Sequence, residues 1–111
     1  MAVIAMNRDI DTIMSRAEIL FLRKRNTRYW LMVSNDIYDK TFNFFFQSQR
    51  QKERLKSVPL HKIENYQLVY FEEIIEQLKK NSNLSIEFVG FAGLKFPKSQ
   101  RFIQKGREGI E

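Results

Sequence analysis

The strongest constraint on this chain is the segment TFNFFFQSQ at residues 41–49, where Phe42, Phe44 and Phe46 recur at every second position. Side chains of an extended chain alternate between faces, so these three rings share one side and Asn43, Phe45 and Gln47 the other. Upstream, RYWLMVS at 28–34 is aromatic and β-branched and too short for a typical helix, so it reads as a partner strand. Asn35-Asp36 opens a polar turn between the two and Asp39 closes it. A β-hairpin is expected. Tyr29, Leu31, Val33, Phe42, Phe44 and Phe46 should face a helix, while Trp30, Met32 and Phe45 lie on the open face near Arg28, Asn43 and Gln47.

Residues 65–81 carry the clearest helical period, with Leu68, Phe71, Ile74, Ile75 and Leu78 in one stripe. Glu72, Glu73 and Glu76 precede Lys79 and Lys80, which suits the helix dipole, and Asn81-Ser82 ends the helix. Residues 9–17 have helical spacing with Asp9 as a candidate cap; residues 18–25 fit either a helix or a strand. Short strands are expected at 57–63, with Pro59 on an edge, and at 84–89. The fold class is therefore α+β: an antiparallel sheet of three to four strands packed by one main helix, plus an N-terminal helix. Residues 1–94 form one domain, and the polar, Gly-bearing stretch 95–111 reads as a flexible basic tail.

With 111 residues of which 43% are hydrophobic, the chain has the length and apolar content of one folded domain. Fifteen rings (ten Phe, four Tyr and one Trp) look like more than so small a core absorbs, which suggests a homodimer. There is no Cys, so disulfides, thiolate metal sites and Cys nucleophiles are excluded. No apolar run is long enough to span a membrane, and Met1–Met6 is too short for a signal peptide, so a cytoplasmic protein is expected.

Enzyme chemistry finds little to work with. His61 is the sole His, there is no nucleophile elbow, no carboxylate cluster has metal-ligand spacing, and the glycines at 90, 93, 106 and 109 match no nucleotide-binding loop. No catalytic residue, metal or cofactor is expected. Glu72, Glu73 and Glu76 read as a solvated helix flank.

The formal charge of +6 favours a polyanion or an acidic protein surface as partner. Arg23, Lys24, Arg25 and Arg28 cluster ahead of the first strand, and Arg50, Lys52, Arg54 and Lys56 recur every second residue, which puts them on one side of an extended chain. Lys95, Lys98, Arg101, Lys105 and Arg107 populate the tail, while the main helix is acidic. Phosphates would be drawn to the basic elements and repelled by the helix.

Residues 28–46 resemble the first hairpin of PUR-type repeats, through Arg28-Tyr29-Trp30-Leu31, Val33, Asn35, Phe42 and the alternation to Phe46. The sheet-then-helix order, which the Whirly family shares, fits the helix at 65–81. The likeness covers about half of the chain, and the Gly-Arg that usually follows the hairpin Asn is replaced by Asp36-Ile37-Tyr38-Asp39-Lys40. The resemblance implies a dimeric module for single-stranded DNA or RNA.

The leading expectation is a non-enzymatic, sequence-tolerant binder of single-stranded nucleic acid. Trp30 and Phe45 would stack bases; Arg28, Arg50, Lys52, Arg54 and Lys56 would meet phosphates; Lys95, Lys98 and Arg101 would add affinity. The alternative is a protein-interaction factor, an inhibitor or accessory subunit, using the same basic and aromatic surface.

Overall fold

A computed structural model describes residues 2–21 and 24–104, residues 2–6 by their backbone alone. The elements run α1 (Ala2–Leu20), β1 (Thr27–Asp36), β2 (Thr41–Arg50), β3 (Lys56–Ile63), α2 (Leu68–Asn81) and β4 (Ile86–Val89).

The hairpin forms in the expected register, with Leu31 opposite Phe46 and Val33 opposite Phe44. Its turn is held by the Asp36 carboxylate, which accepts the N–H groups of Tyr38 and Asp39 at 3.1 and 2.9 Å, and Lys40 leaves it with a φ of 55°. β3 continues the antiparallel meander as an edge strand. Pro59 sits opposite Phe45, where the register shifts and its missing N–H is tolerated.

The sheet order is β3-β2-β1-β4, and β4 runs parallel to β1. The sheet is therefore mixed, not antiparallel throughout. The cause is α2, which carries the chain from the β3 edge back across the sheet, a crossover that delivers the next strand parallel.

Both helices cover one face. Phe42, Phe44 and Phe46 meet Ile10, Ile13 and Ala17 of α1 and Phe71, Ile74, Ile75 and Leu78 of α2 in one core. Phe71 is its centre, with its ring centroid 4.4 Å from that of Phe42 and 5.0 Å from that of Phe91. The core absorbs most of the rings: among described residues only Tyr38 and Phe102 are exposed large aromatics. The surplus of rings that suggested a dimer is largely taken up within one chain.

α1 takes in residues 18–20, which the spacing left open between helix and strand, and other local expectations change: Asp9 lies inside α1, not at a cap. α2 starts at Leu68, and its Glu72 is buried rather than solvated. Residues 95–104, expected as part of a flexible tail, pack against α2. The Glu72 carboxylate accepts the N–H groups of Lys98 and Ser99 at 2.7 and 3.1 Å, Lys95 bridges Phe102, and Phe91 and Ile103 are buried. Residues 105–111, with Lys105 and Arg107, lie outside the described residues, as does Arg23.

Among the described residues no helix is long and apolar enough to cross a membrane.

Candidate nucleic-acid interface

The sheet face away from the helices carries Arg28, Trp30 and Met32 from β1 and Asn43, Phe45, Gln47 and Gln49 from β2, since these alternate with the core residues. Trp30 is fixed before any ligand arrives. Its Nε1–H donates to Glu87 Oε1 at 2.9 Å, and the Arg28 guanidinium lies 5.4 Å from its ring centroid. Opposite it on β2, Gln47 is 4% exposed, and its Oε1 is a buried acceptor without a donor among the described residues.

Two basic segments distant in sequence meet at one end of the sheet. Antiparallel pairing sets Thr27 opposite Arg50 and Ser48 opposite Lys56, so the start of β1, the end of β2 and the start of β3 coincide. Lys24, Arg28, Arg50, Lys52, Arg54 and Lys56 gather there, with Glu53 and Glu87 as acidic neighbours. Arg50 and Glu53 are 3.8 Å apart and both half-exposed, a pair that adds little.

Three depressions line up around this end. The first holds Trp30, Arg28, Gln49 and Glu87 on the open face. The second, at the sheet end, shares Arg28 and Gln49 with the first and adds Arg50 and Lys52. The third shares Thr27 and Arg50 with the second and lies on the helix side, lined by Tyr29, Phe46, Arg54, Lys56 and Val58. The third also shares Tyr29 with the first, so the three adjoin as a basic track around this end of the sheet.

The expected alternation of Arg50, Lys52, Arg54 and Lys56 on one side does not hold, because the chain reverses at 51–53 and Lys52 takes a φ of 68°. Lys52 opens toward Arg28, and the other three line the helix-side depression. Phe45 is on the open face opposite Met32 and Pro59 and is absent from the lining of all three depressions.

Lys95, Lys98 and Arg101 are not brought to the track. Lys98 Nζ lies 3.0 Å from Glu73 and 3.8 Å from Glu76 on α2; the hydrogen bond to Glu73 and the surrounding carboxylates hold its pKa above the ordinary lysine value. Lys95 sits 5.0 Å from the Phe102 ring centroid. Arg101 is in the same turn, its carbonyl accepting the Phe96 N–H.

Lys24, from the basic cluster expected ahead of β1, joins the track, and Gln49 and Glu87 are track residues beyond the expected set. The alternation Phe45, Gln47, Gln49 could have indicated Gln49; Glu87 depends on how β4 packs.

His61 belongs to a structural knot instead. Its Nε2 is 2.6 Å from one Asp9 carboxylate oxygen, and the Tyr70 hydroxyl donates to the other at 2.5 Å, joining α1, β3 and α2. Burial, then the hydrogen bond to and charge of Asp9, push the Tyr70 phenol far above its usual range. Among the described residues no group of His, Asp and Glu side chains is arranged to hold a metal. No family model, curated protein sequence or solved structure matches this chain.

Proposed function

We propose that this protein binds single-stranded nucleic acid without strong base preference, as a carrier or protector rather than an enzyme. The observation that carries the proposal is the convergence of Arg28, Arg50, Lys52, Arg54 and Lys56 into one track that begins at Trp30. A phosphate backbone following that track meets cations at each depression, and each contact releases counterions. Trp30 offers a base a stacking surface whose orientation Glu87 already sets. Gln47, paired with Trp30 across the strands, carries a buried Oε1 with no donor among the described residues, a further acceptor for a base N–H. A chain with no Cys suits the reducing cytoplasm, where such strands occur.

The test is a fluorescence-anisotropy titration of labelled single-stranded and duplex DNA and RNA at low and physiological salt. Single strands should bind more tightly than duplex at both salts. Absence of binding to every probe at low salt defeats the proposal.

One observation favours a protein contact in addition. Ile37 and Tyr38, at the hairpin tip remote from the track, are 58% and 93% exposed. Tyr is among the residue types enriched at the energetic centres of protein contacts. Affinity purification that recovers one stoichiometric protein partner, lost on Tyr38→Ala, would support it; retention of that partner by the variant would not.

A further inference from the structure

We propose that the helix-side depression receives the phosphorylated end of the bound strand, with the terminal phosphomonoester at its basic rim and the terminal base against its apolar floor. This deepens the single-strand reading and rests on it.

The helix ends at Leu20 and β1 begins at Thr27, and among the described residues the depression lies between that helix end and the strands. Leu20, Tyr29, Phe46 and Val58 form the floor of a cavity of about 160 Å³. The Tyr29 ring packs in tilted contact with Phe21 at 4.6 Å and Phe46 at 5.6 Å. A base would pack against this floor.

The rim is Lys24, Arg50, Arg54 and Lys56, with Glu53 as the one carboxylate among the described lining residues. A phosphomonoester carries about −1.5 to −2 charges at neutral pH, against a single charge on an internal diester, and presents three acceptor oxygens. A rim so dominated by cations favours the monoester. Pockets that hold drug-sized ligands run to roughly 300–1,000 Å³, so this one has room for a single terminal unit and not for a strand passing through. It lies on the helix side of the sheet, opposite the open face that holds Trp30, and joins the sheet-end depression through Thr27 and Arg50. A strand lying on Trp30 and crossing the sheet end would bring its terminus here.

The experiment is competition anisotropy on the full chain with strands of one length and sequence: 5′-phosphorylated, 3′-phosphorylated, unphosphorylated and circular. One phosphorylated linear strand should bind on the order of tenfold more tightly than the unphosphorylated and circular strands, the gain from one or two charge-assisted hydrogen bonds. That ratio should shrink as pH falls below about 6, where the monoester takes up its second proton. Val58→Trp fills the cavity and should bring the ratio to unity; Arg54→Gln should lower it and serves if the Trp variant does not fold. Equal binding of phosphorylated and circular strands overturns the end-receptor proposal while leaving single-strand binding intact. Failure of every strand to bind removes both.

Discussion

At the end of the sheet where β1 begins, Arg28, Arg50, Lys52, Arg54 and Lys56 converge with Glu53 and Glu87 as acidic company. In the segment 95–104, by contrast, Lys98 is held by Glu73 and Glu76, Lys95 lies over Phe102, and the backbone itself is bonded to Glu72. Both stretches are basic in the sequence, but the first gathers its cations at one sheet end, whereas in the second Lys98 is turned to the α2 carboxylates and Lys95 to Phe102. A cation's role is decided by the carboxylates the fold brings to it. The acidic flank of α2, which would repel a phosphate, is the same surface that fastens the second stretch.

The comparison breaks most severely at Phe91, which stacks on Phe71 beneath the docked segment. Phe91→Ala should cost about 3–5 kcal/mol in urea unfolding, because it empties a fully buried ring site. The protein that remains folded should still bind single strands, since Phe91 is remote from the track. Trp30→Ala acts on the other region. It should weaken strand binding by about 1–3 kcal/mol, read by anisotropy, while circular dichroism stays native and Trp30→Phe recovers part of the loss.

Glu72→Gln sharpens the contrast by loosening the docked segment without touching the core. The expected cost is about 1–3 kcal/mol of stability with strand affinity unchanged. Burial pushes the Glu72 carboxyl up, but the N–H groups of Lys98 and Ser99, together with the Ser99 hydroxyl and the Lys98 charge, outweigh it and hold the pKa below the usual carboxylate value. Stability from a carboxyl lowered in this way is whole above the unfolded value of about 4.3 and is lost as pH falls through the folded one. Wild type should therefore lose stability in acid below about pH 4, and Glu72→Gln should show a shallower acid loss in pH-dependent urea melts. Gln47→Leu has the smallest expected effect. Removal of a buried acceptor with no donor among the described residues should raise stability by about 1 kcal/mol, and strand binding should weaken.

The hairpin was legible because alternation is local: Phe42, Phe44 and Phe46 state their face without reference to anything distant. The stripe from Leu68 to Leu78 is legible for the same reason, as are Trp30 and Arg28 on the open face. The parallel placement of β4 was not, since Ile86–Val89 reads the same in either direction and only the α2 crossover sets its sense. The docking of 95–104 was hidden because Pro97, Lys98 and Ser99 have loop composition, and what orders them is a glutamate on α2 whose side chain turns inward. Asp9 looked like a cap because its partners His61 and Tyr70 lie 52 and 61 residues away. The track itself was half visible. Its charges are plain in the sequence, but their division at Lys52 depends on a left-handed turn that spacing does not reveal.

The most direct test of two basic regions with different roles is the salt dependence of single-strand binding, measured for wild type and two variants. One carries Arg50, Lys52, Arg54 and Lys56 all as Gln; the other carries Lys95, Lys98 and Arg101 all as Gln. Each lost phosphate contact on a single strand should flatten the slope of log affinity against log salt by about 0.7, so the first variant should lose up to roughly 3 in slope and bind weakly even at low salt. The second should keep the wild-type slope and show its defect in thermal stability. Equal flattening in both variants, or a wild-type slope in the first, would contradict the account.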